Sequence, residues 1–309
     1  MSIDNRTLIS KAAIDTSTLG AGGAMNPEQQ TQFMAFMKDF SVFLRRTGII
    51  NMLSTQRYLD SIEVNKRAMR GQIENNDNPE TGTATTRRRK LTAAGVIMPY
   101  DVSMQFMKEN IEGDNINTTL AKLFAQQFAN DSVDLAWNGD EASSDPFIGI
   151  NDGWIKIATD DADTHKFDTD ASKDYLGFVF PGLLAEMPSK YFQLYQEEDK
   201  NLITIFCSHS VNRAYKQQLQ ARNTALGDSM IIEGKHVTYD GHEIFPVGFI
   251  PENILIATPF ENLVYGIFGQ SLQTYHDVVP RKTRHEYTLM ADFDMEIENP
   301  DALVIADDF

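Results

Sequence analysis

An α+β fold is predicted from the order of the elements along the chain. Helical and hairpin segments come first, a mixed region follows, and strands gather at the end, with no regular β-α-β alternation. Two further observations agree. One long helical period covers residues 117–137, with Leu120, Leu123, Phe124, Phe128, Leu135 and Ala136 on a 3.6-residue repeat. Strand-like runs then fill residues 272–275, 286–297 and 302–305.

The elements follow in order. Residues 1–26 read as an arm around Gly20-Ala21-Gly22-Gly23-Ala24. No strand precedes these glycines and no Gly-Lys-Ser/Thr follows, so they are not a phosphate loop. Asn26-Pro27 can start a helix running to about Arg46, with Phe33, Phe36, Met37, Phe40, Phe43 and Leu44 on one stripe. Two extended segments, 56–69 and 87–97, flank a polar turn region at 71–86. They carry few large apolar side chains, so this long hairpin is expected to lie on a neighbouring molecule rather than its own body. It holds Arg87-Arg88-Arg89-Lys90, which strand alternation divides between two faces. With Arg70, these residues are the candidate inter-subunit contacts, expected to meet acidic neighbours. Asp101 reads as the cap of a short helix to residue 111, and Asn138-Gly139 as the stop of the long helix. Residues 159–172 are acidic and read as a solvated linker, since His165 and Lys166 fall where a calcium loop needs Asp or Asn and Gly. Residues 202–207 have the pattern of a buried strand. Ser208 or Ser210 can cap the helix that follows, and strands fit 236–239, 244–247 and 254–257. Thr258-Pro259 can cap a short helix to about Tyr265.

Composition narrows function. The 309 residues are 42% hydrophobic, enough for a real core, and the single Cys207 excludes an intrachain disulfide. No apolar run of ~18 residues predicts a membrane span, and the first residues lack a signal core, so no membrane association or secretion is expected. Of the net charge of −17, residues 1–100 carry 13 Lys+Arg against 9 Asp+Glu, and residues 101–309 carry 14 against 35. So acidic a body is a poor general nucleic-acid binder, and the basic portion suits an acidic surface on another copy.

The candidate chemistry is thin. Cys207 and His209 lie two apart without a third orienting group, and a buried Cys more often packs than reacts. His236, His242 and Glu243 match no zinc spacing. There is no Walker loop, Gly-x-Ser-x-Gly or Rossmann fingerprint. No catalytic, cofactor-binding or metal site is predicted, and the expectation is a structural role without enzymatic activity.

An ordered set of segments resembles the major capsid proteins of tailed bacteriophages, the family named after bacteriophage HK97. The segments are Ser271-Leu272-Gln273-Thr274-Tyr275, Thr288-Leu289-Met290-Ala291, Met295-Glu296-Ile297 and Pro300-Asp301-Ala302-Leu303-Val304. Asp240-Gly241-His242-Glu243-Ile244, leading to Ile250-Pro251 and Ile254-Leu255-Ile256, resembles that family's apical-domain ending. Leu263-Val264-Tyr265-Gly266 resembles the return to its peripheral domain. The helix ending at Asn138-Gly139 is similar to its spine helix, and Asn151-Asp152-Gly153-Trp154-Ile155 to temperate-myophage capsid sequences.

The resemblance implies an N-terminal arm with helix (1–53), an extended loop (54–97), a peripheral domain with the spine helix (98–172), an apical domain (173–262) and peripheral return strands (263–309). It implies hexamers and pentamers of this chain closing an icosahedral shell around double-stranded DNA, without sequence-specific binding. Portal, scaffold and decoration proteins would be partners, and the virion, after assembly in the host cytoplasm, the location. One branch of the family cross-links its subunits through a loop lysine; Lys66 and Lys90 are the nearest candidates here, with no partner Asn and Glu evident. An encapsulin-type nanocompartment shell is the alternative with the same fold.

Overall fold

A computed structural model describes residues 23–24, 41–64, 84–109, 116–197, 200–221 and 237–307. A two-residue strand β1 (Gly23–Ala24) comes first, then α1 (Val42–Arg46), β2 (Gly48–Met52), β3 (Gln56–Val64), β4 (Ala84–Thr92), β5 (Ala94–Ser103), α2 (Met104–Glu109) and the long α3 (Ile116–Asn138). Next are α4 (Trp154–Asp160), β6 (His165–Asp168), α5 (Phe180–Ala185), α6 (Ser189–Leu194), β7 (Gln196–Glu197), β8 (Lys200–Asn201), β9 (Ile203–Cys207) and α7 (His209–Ala221). The chain ends through β10 (Thr238–Tyr239), β11 (His242–Pro246), β12 (Ile254–Pro259), β13 (Leu263–Val279), β14 (Arg284–Ile297) and β15 (Val304–Asp307).

Two sheets carry the fold. In the first, β13 and β14 form a long antiparallel hairpin, β5 extends it beyond β14, and β2 and β1 line the other edge along β13. Alternation along β14 is strict: Tyr287, Leu289, Ala291, Phe293, Met295 and Ile297 are buried, and the residues between them are half-exposed. One face of a packed sheet demands this period of two. The second sheet has the order β10-β11-β9-β12-β15-β6. Its β9 is buried at every position because both its faces are covered. Phe206 joins the main core, which also takes side chains from α3 and the first sheet. Ile203, Ile205 and Cys207 face a second core with α5, α6 and α7.

The main core centres on aromatic rings. Phe43 of α1 lies 5.4 Å from Trp137, 5.5 Å from Trp154 and 6.0 Å from Phe206, and the two tryptophans are 5.2 Å apart. What brings the tryptophans together is a close backbone approach. The Gly153 amide donates to the Gly139 carbonyl at 2.9 Å. A Cβ on Gly139 would stand 2.2 Å from the Asn151 carbonyl oxygen, and one on Gly153 would stand 2.7 Å from the Gly139 nitrogen. The Asn-Asp-Gly-Trp segment therefore needs its glycine for contact. Asn151 secures the same turn by donating from Nδ2 to the Phe293 carbonyl at 2.9 Å.

Several elements differ from the sequence expectation. The hairpin's second arm ends at Thr92, and residues 94–97 open β5, because the alternation of Val96, Met98, Tyr100 and Val102 suits the edge of the first sheet. Asp101 lies within β5, opposite Glu286, and the Ser103 hydroxyl instead accepts from the Phe106 amide at the start of α2. Ser208 caps α7. Residues 263–265 extend β13 rather than a helix, since all three are buried in the sheet. The 159–172 linker contains β6, which runs parallel to β15. β15, expected with the peripheral return strands, instead pairs with β12 inside the second sheet, where its run of buried apolar residues fits an interior strand. Of the predicted N-terminal helix only Val42–Arg46 is described, capped by Ser41; Asn26-Pro27 and the Phe33–Phe40 stripe lie outside the described residues.

Replacing Gly139 or Gly153 by Ala forces the turn apart. Each is expected to lower the urea midpoint by the equivalent of about 2 kcal/mol or more, while Gly248→Ala, with open space around it, leaves the midpoint unchanged.

Candidate assembly surface on the extended hairpin

β3 and β4 pair from Gln56↔Thr92 to Val64↔Ala84, so the basic run sits on β4 with its side chains alternating between two faces. One face turns to the chain's own body. Leu59 and Leu91 bury themselves with Met52 and Val264 in a small core beneath the hairpin root. Arg89 forms a close ion pair with Asp161. Arg87 lies 3.6 Å from Asp163 and donates to Asn299 Oδ1 at 3.3 Å. The Thr92 amide donates to Asp294 Oδ2 at 2.6 Å and fixes the root to β14. The acidic linker is thus the docking strip for the loop's own arginines.

The other face looks outward. Tyr58 and Ile62 are exposed at 55% and 72%. Arg88 donates through Nε to Asp60 Oδ1 at 2.6 Å, and its guanidinium stands 5.3 Å from the Tyr58 ring centre. The hydrogen bond to Asp60 raises the Arg88 pKa. Lys90, opposite Tyr58 in register, is exposed. Of the five predicted contact residues, Arg87 and Arg89 are held by the chain's own body, whereas Arg88, paired with Asp60 within the hairpin, and Lys90 face out. Arg70 lies outside the described residues.

Behind Arg87, a polar network reaches into the second sheet. Asn299 Nδ2 donates to the Tyr191 hydroxyl at 3.0 Å, and that hydroxyl donates to Asp301 Oδ2 at 2.8 Å. Lys190 and His165 also meet Asp301, at 2.7 and 2.9 Å. Burial alone would raise the Asp301 pKa, but the bonds from Lys190, Tyr191 and His165 outweigh it and bring it down to about 2. Neither Tyr191 nor Asn299 was singled out in the sequence; they sit in ordinary helix and turn contexts, and only the fold brings them to Arg87.

Two carboxylates at the hairpin root behave oppositely. Burial pushes Asp294 and Glu296 up to about 6, despite backbone amides donating to each.

The enzyme-like candidates do not converge. Cys207 is buried and its thiol is pushed up to about 12 by burial, whereas His209 starts α7 and is exposed. His242 is buried with Nδ1 3.1 Å from the Ile203 carbonyl, and Glu243 is engaged by both Arg46 terminal nitrogens at 2.8 and 2.7 Å. His236 lies outside the described residues. Among the described residues, no group of three His, Cys, Asp or Glu is placed to hold a metal ion, and no helix is long and apolar enough to cross a membrane.

Known proteins share this architecture. The subunit of the satellite phage P4 procapsid, solved with the size determination (Sid) protein, superposes over 100% of this chain and 98% of its own, with a TM-score of 0.71 at 13% identity. This is the HK97-like capsid fold. The capsid of an empty GTA particle shares it, with a TM-score of 0.62 at 13% identity over 87% of this chain and 89% of its own. So does a chain of Mycobacterium phage Bobi, with a TM-score of 0.56 at 13% identity over 86% and 90%. In sequence, the chain is 28% identical over 239 residues to YqbE of Bacillus subtilis (strain 168), a protein assigned to a prophage capsid; the match covers 74% of this chain and 71% of YqbE. No family model matches the chain. The capsid fold accounts for the long hairpin as its extended loop and for α3 as its spine helix.

The root carboxylates give a pH dependence of fixed sign. Their folded pKa values lie above the ~3.9 and ~4.3 of free Asp and Glu, so the folded chain binds more protons between about pH 4 and 6. Stability is therefore expected to rise as pH falls from 7 to 5, and Asp294→Asn to flatten that rise and increase the urea midpoint at pH 7. Below about pH 4 the Asp301 contribution is lost as the pH approaches 2, and stability turns down.

Proposed function

We propose that this chain is the major capsid protein of a tailed phage or prophage, a shell-forming structural protein without catalytic activity. Copies associate as hexamers and pentamers and close an icosahedral container around double-stranded DNA. The observation that carries the reading is a capsid fold over the whole chain whose extended loop presents one face to solvent. An outward face with Tyr58, Ile62, Arg88 and Lys90 offers apolar area, the Arg88–Asp60 pair and the Lys90 cation to a neighbouring copy. The body of that copy is strongly acidic: residues 101–309 hold 35 Asp+Glu against 14 Lys+Arg. Individual exposed ion pairs contribute only ~0–1 kcal/mol, but symmetry repeats each contact around every ring. The same acidity limits adhesion to a packaged genome. Portal, scaffold and decoration proteins are the partners such a shell uses, in the host cytoplasm during assembly and then in the virion. The phage character of the matches favours this over an encapsulin-type nanocompartment.

The division of the basic run sharpens the mutational test. Arg88→Glu with Lys90→Glu is expected to abolish rings and shells in light scattering and negative-stain images, with the folded monomer, of radius of gyration near ~19 Å, unchanged. Arg87→Gln with Arg89→Gln is expected to loosen the loop from its own body, seen as faster amide exchange in β4. Normal shells from the Glu pair would refute the outward contact, and a wild-type chain that stays a compact monomer would refute the shell itself.

A further inference from the structure

At the far end of the long hairpin, His276 of β13 and His285 of β14 sit diagonally across the strands, since His276 pairs with Tyr287 and His285 with Val278. His276 Nε2 is 2.9 Å from His285 Nδ1. The ring centres are 5.1 Å apart and the planes differ by 9°. Nitrogens that much closer than the centres, in nearly parallel planes, place the imidazoles edge to edge. One ring must donate its N–H and the other accept.

The pair ends a column of rings. His276 stacks on Tyr287 at 4.3 Å, Tyr287 on Tyr100 of β5 at 5.0 Å, and Tyr100 on Phe124 of α3 at 3.4 Å. The column runs from the hairpin tip to the spine helix. We propose that the two histidines form an acid-sensitive lock, sharing protons so that the hairpin tip stays fastened to this column at neutral pH and parts from it in acid. One added proton can be held between the rings. A second leaves two N–H groups facing each other with like charge, and the pair must open.

Among the described residues, the surroundings supply no counter-charge that would cancel the repulsion. Asp277, the neighbour in sequence, is the carboxylate that acts on His276; burial and His285 outweigh it and lower the His276 pKa. The charged side chains of the tip engage one another: Arg284 meets Asp101 at 2.7 Å and Glu286 at 2.6 Å, and Lys282 meets Glu286 at 3.1 Å. Among the described residues, β5 and α3 present the aromatic rings of Tyr100 and Phe124 to the column.

The test is histidine Cε1–H exchange, read by mass spectrometry on the full chain from pH 4 to 9, with amide exchange of the 276–287 segment in the same samples. Burial and the neighbouring His285 ring are expected to make His276 titrate below the ordinary imidazole value. His285→Asn should return His276 towards that value. Amide exchange at the tip, corrected for intrinsic rate, should rise about fivefold below the lower transition in the wild type, and this step should vanish in His276→Asn and in His285→Asn. A His276 that titrates at the ordinary imidazole value of ~6.5 in the wild type, or a tip whose protection is flat with pH, would overturn the proposal. The wild-type measurements decide it even if a variant fails to fold.

Discussion

The contact between Gly139 and Gly153 is the constraint on which the rest of the molecule depends. It closes the turn after the spine helix tightly enough to place Trp137 and Trp154 face to edge, at 5.2 Å and 74°. Phe43 from the N-terminal segment, Phe206 from the second sheet and Phe293 from the first all join the core that forms around this pair. Arg46, one turn on from Phe43, stacks 3.9 Å over Phe260 and grips Glu243, so the N-terminal segment is bound to the second sheet as well. Two sheets that share no strand are thereby held as one body by rings rather than by ladder hydrogen bonds. Close-packed aromatic junctions of this kind resist shear, because each ring has several neighbours to displace.

A rigid body of this kind gives the extended loop a fixed root. The loop is anchored by a small apolar core, one buried carboxylate and two arginine pairs, all on its inner face. Its outer face keeps exposed apolar side chains beside Arg88 and Lys90. Exposed Tyr and Ile on a two-stranded ribbon are unusual in an isolated chain and ordinary at an interface. The loop therefore holds to its own body with one set of alternate residues and leaves the other set exposed, as the proposed contact with a neighbouring copy requires.

Much of this was legible in the sequence, and the limits have physical causes. The spine helix showed itself through its 3.6-residue period, and the hairpin through its polar turn region between two extended arms. The alternation rule also divided the Arg run correctly between two faces. Which face met the body was not legible, because Asp161 and Asp163 sit in a segment whose composition reads as solvated. The same segment hid β6, whose pairing with β15 joins residues 139 positions apart. β15 was misplaced for a related reason: a buried apolar strand carries no mark of which sheet receives it. Gly153 read only as part of a similar segment, and its purpose appears once the Gly139 backbone is seen against it.

In the proposed assembly the two faces of the loop serve two molecules. A cryo-electron microscopy reconstruction of particles assembled from the full chain, at side-chain resolution, decides it. Arg87 and Arg89 are expected to remain on Asp163 and Asp161 of their own chain, and Arg88, Lys90, Tyr58 and Ile62 to be covered by an adjacent copy. A shell in which the outward face stays bare, or in which Arg87 and Arg89 leave their own carboxylates for a neighbour's, would contradict it.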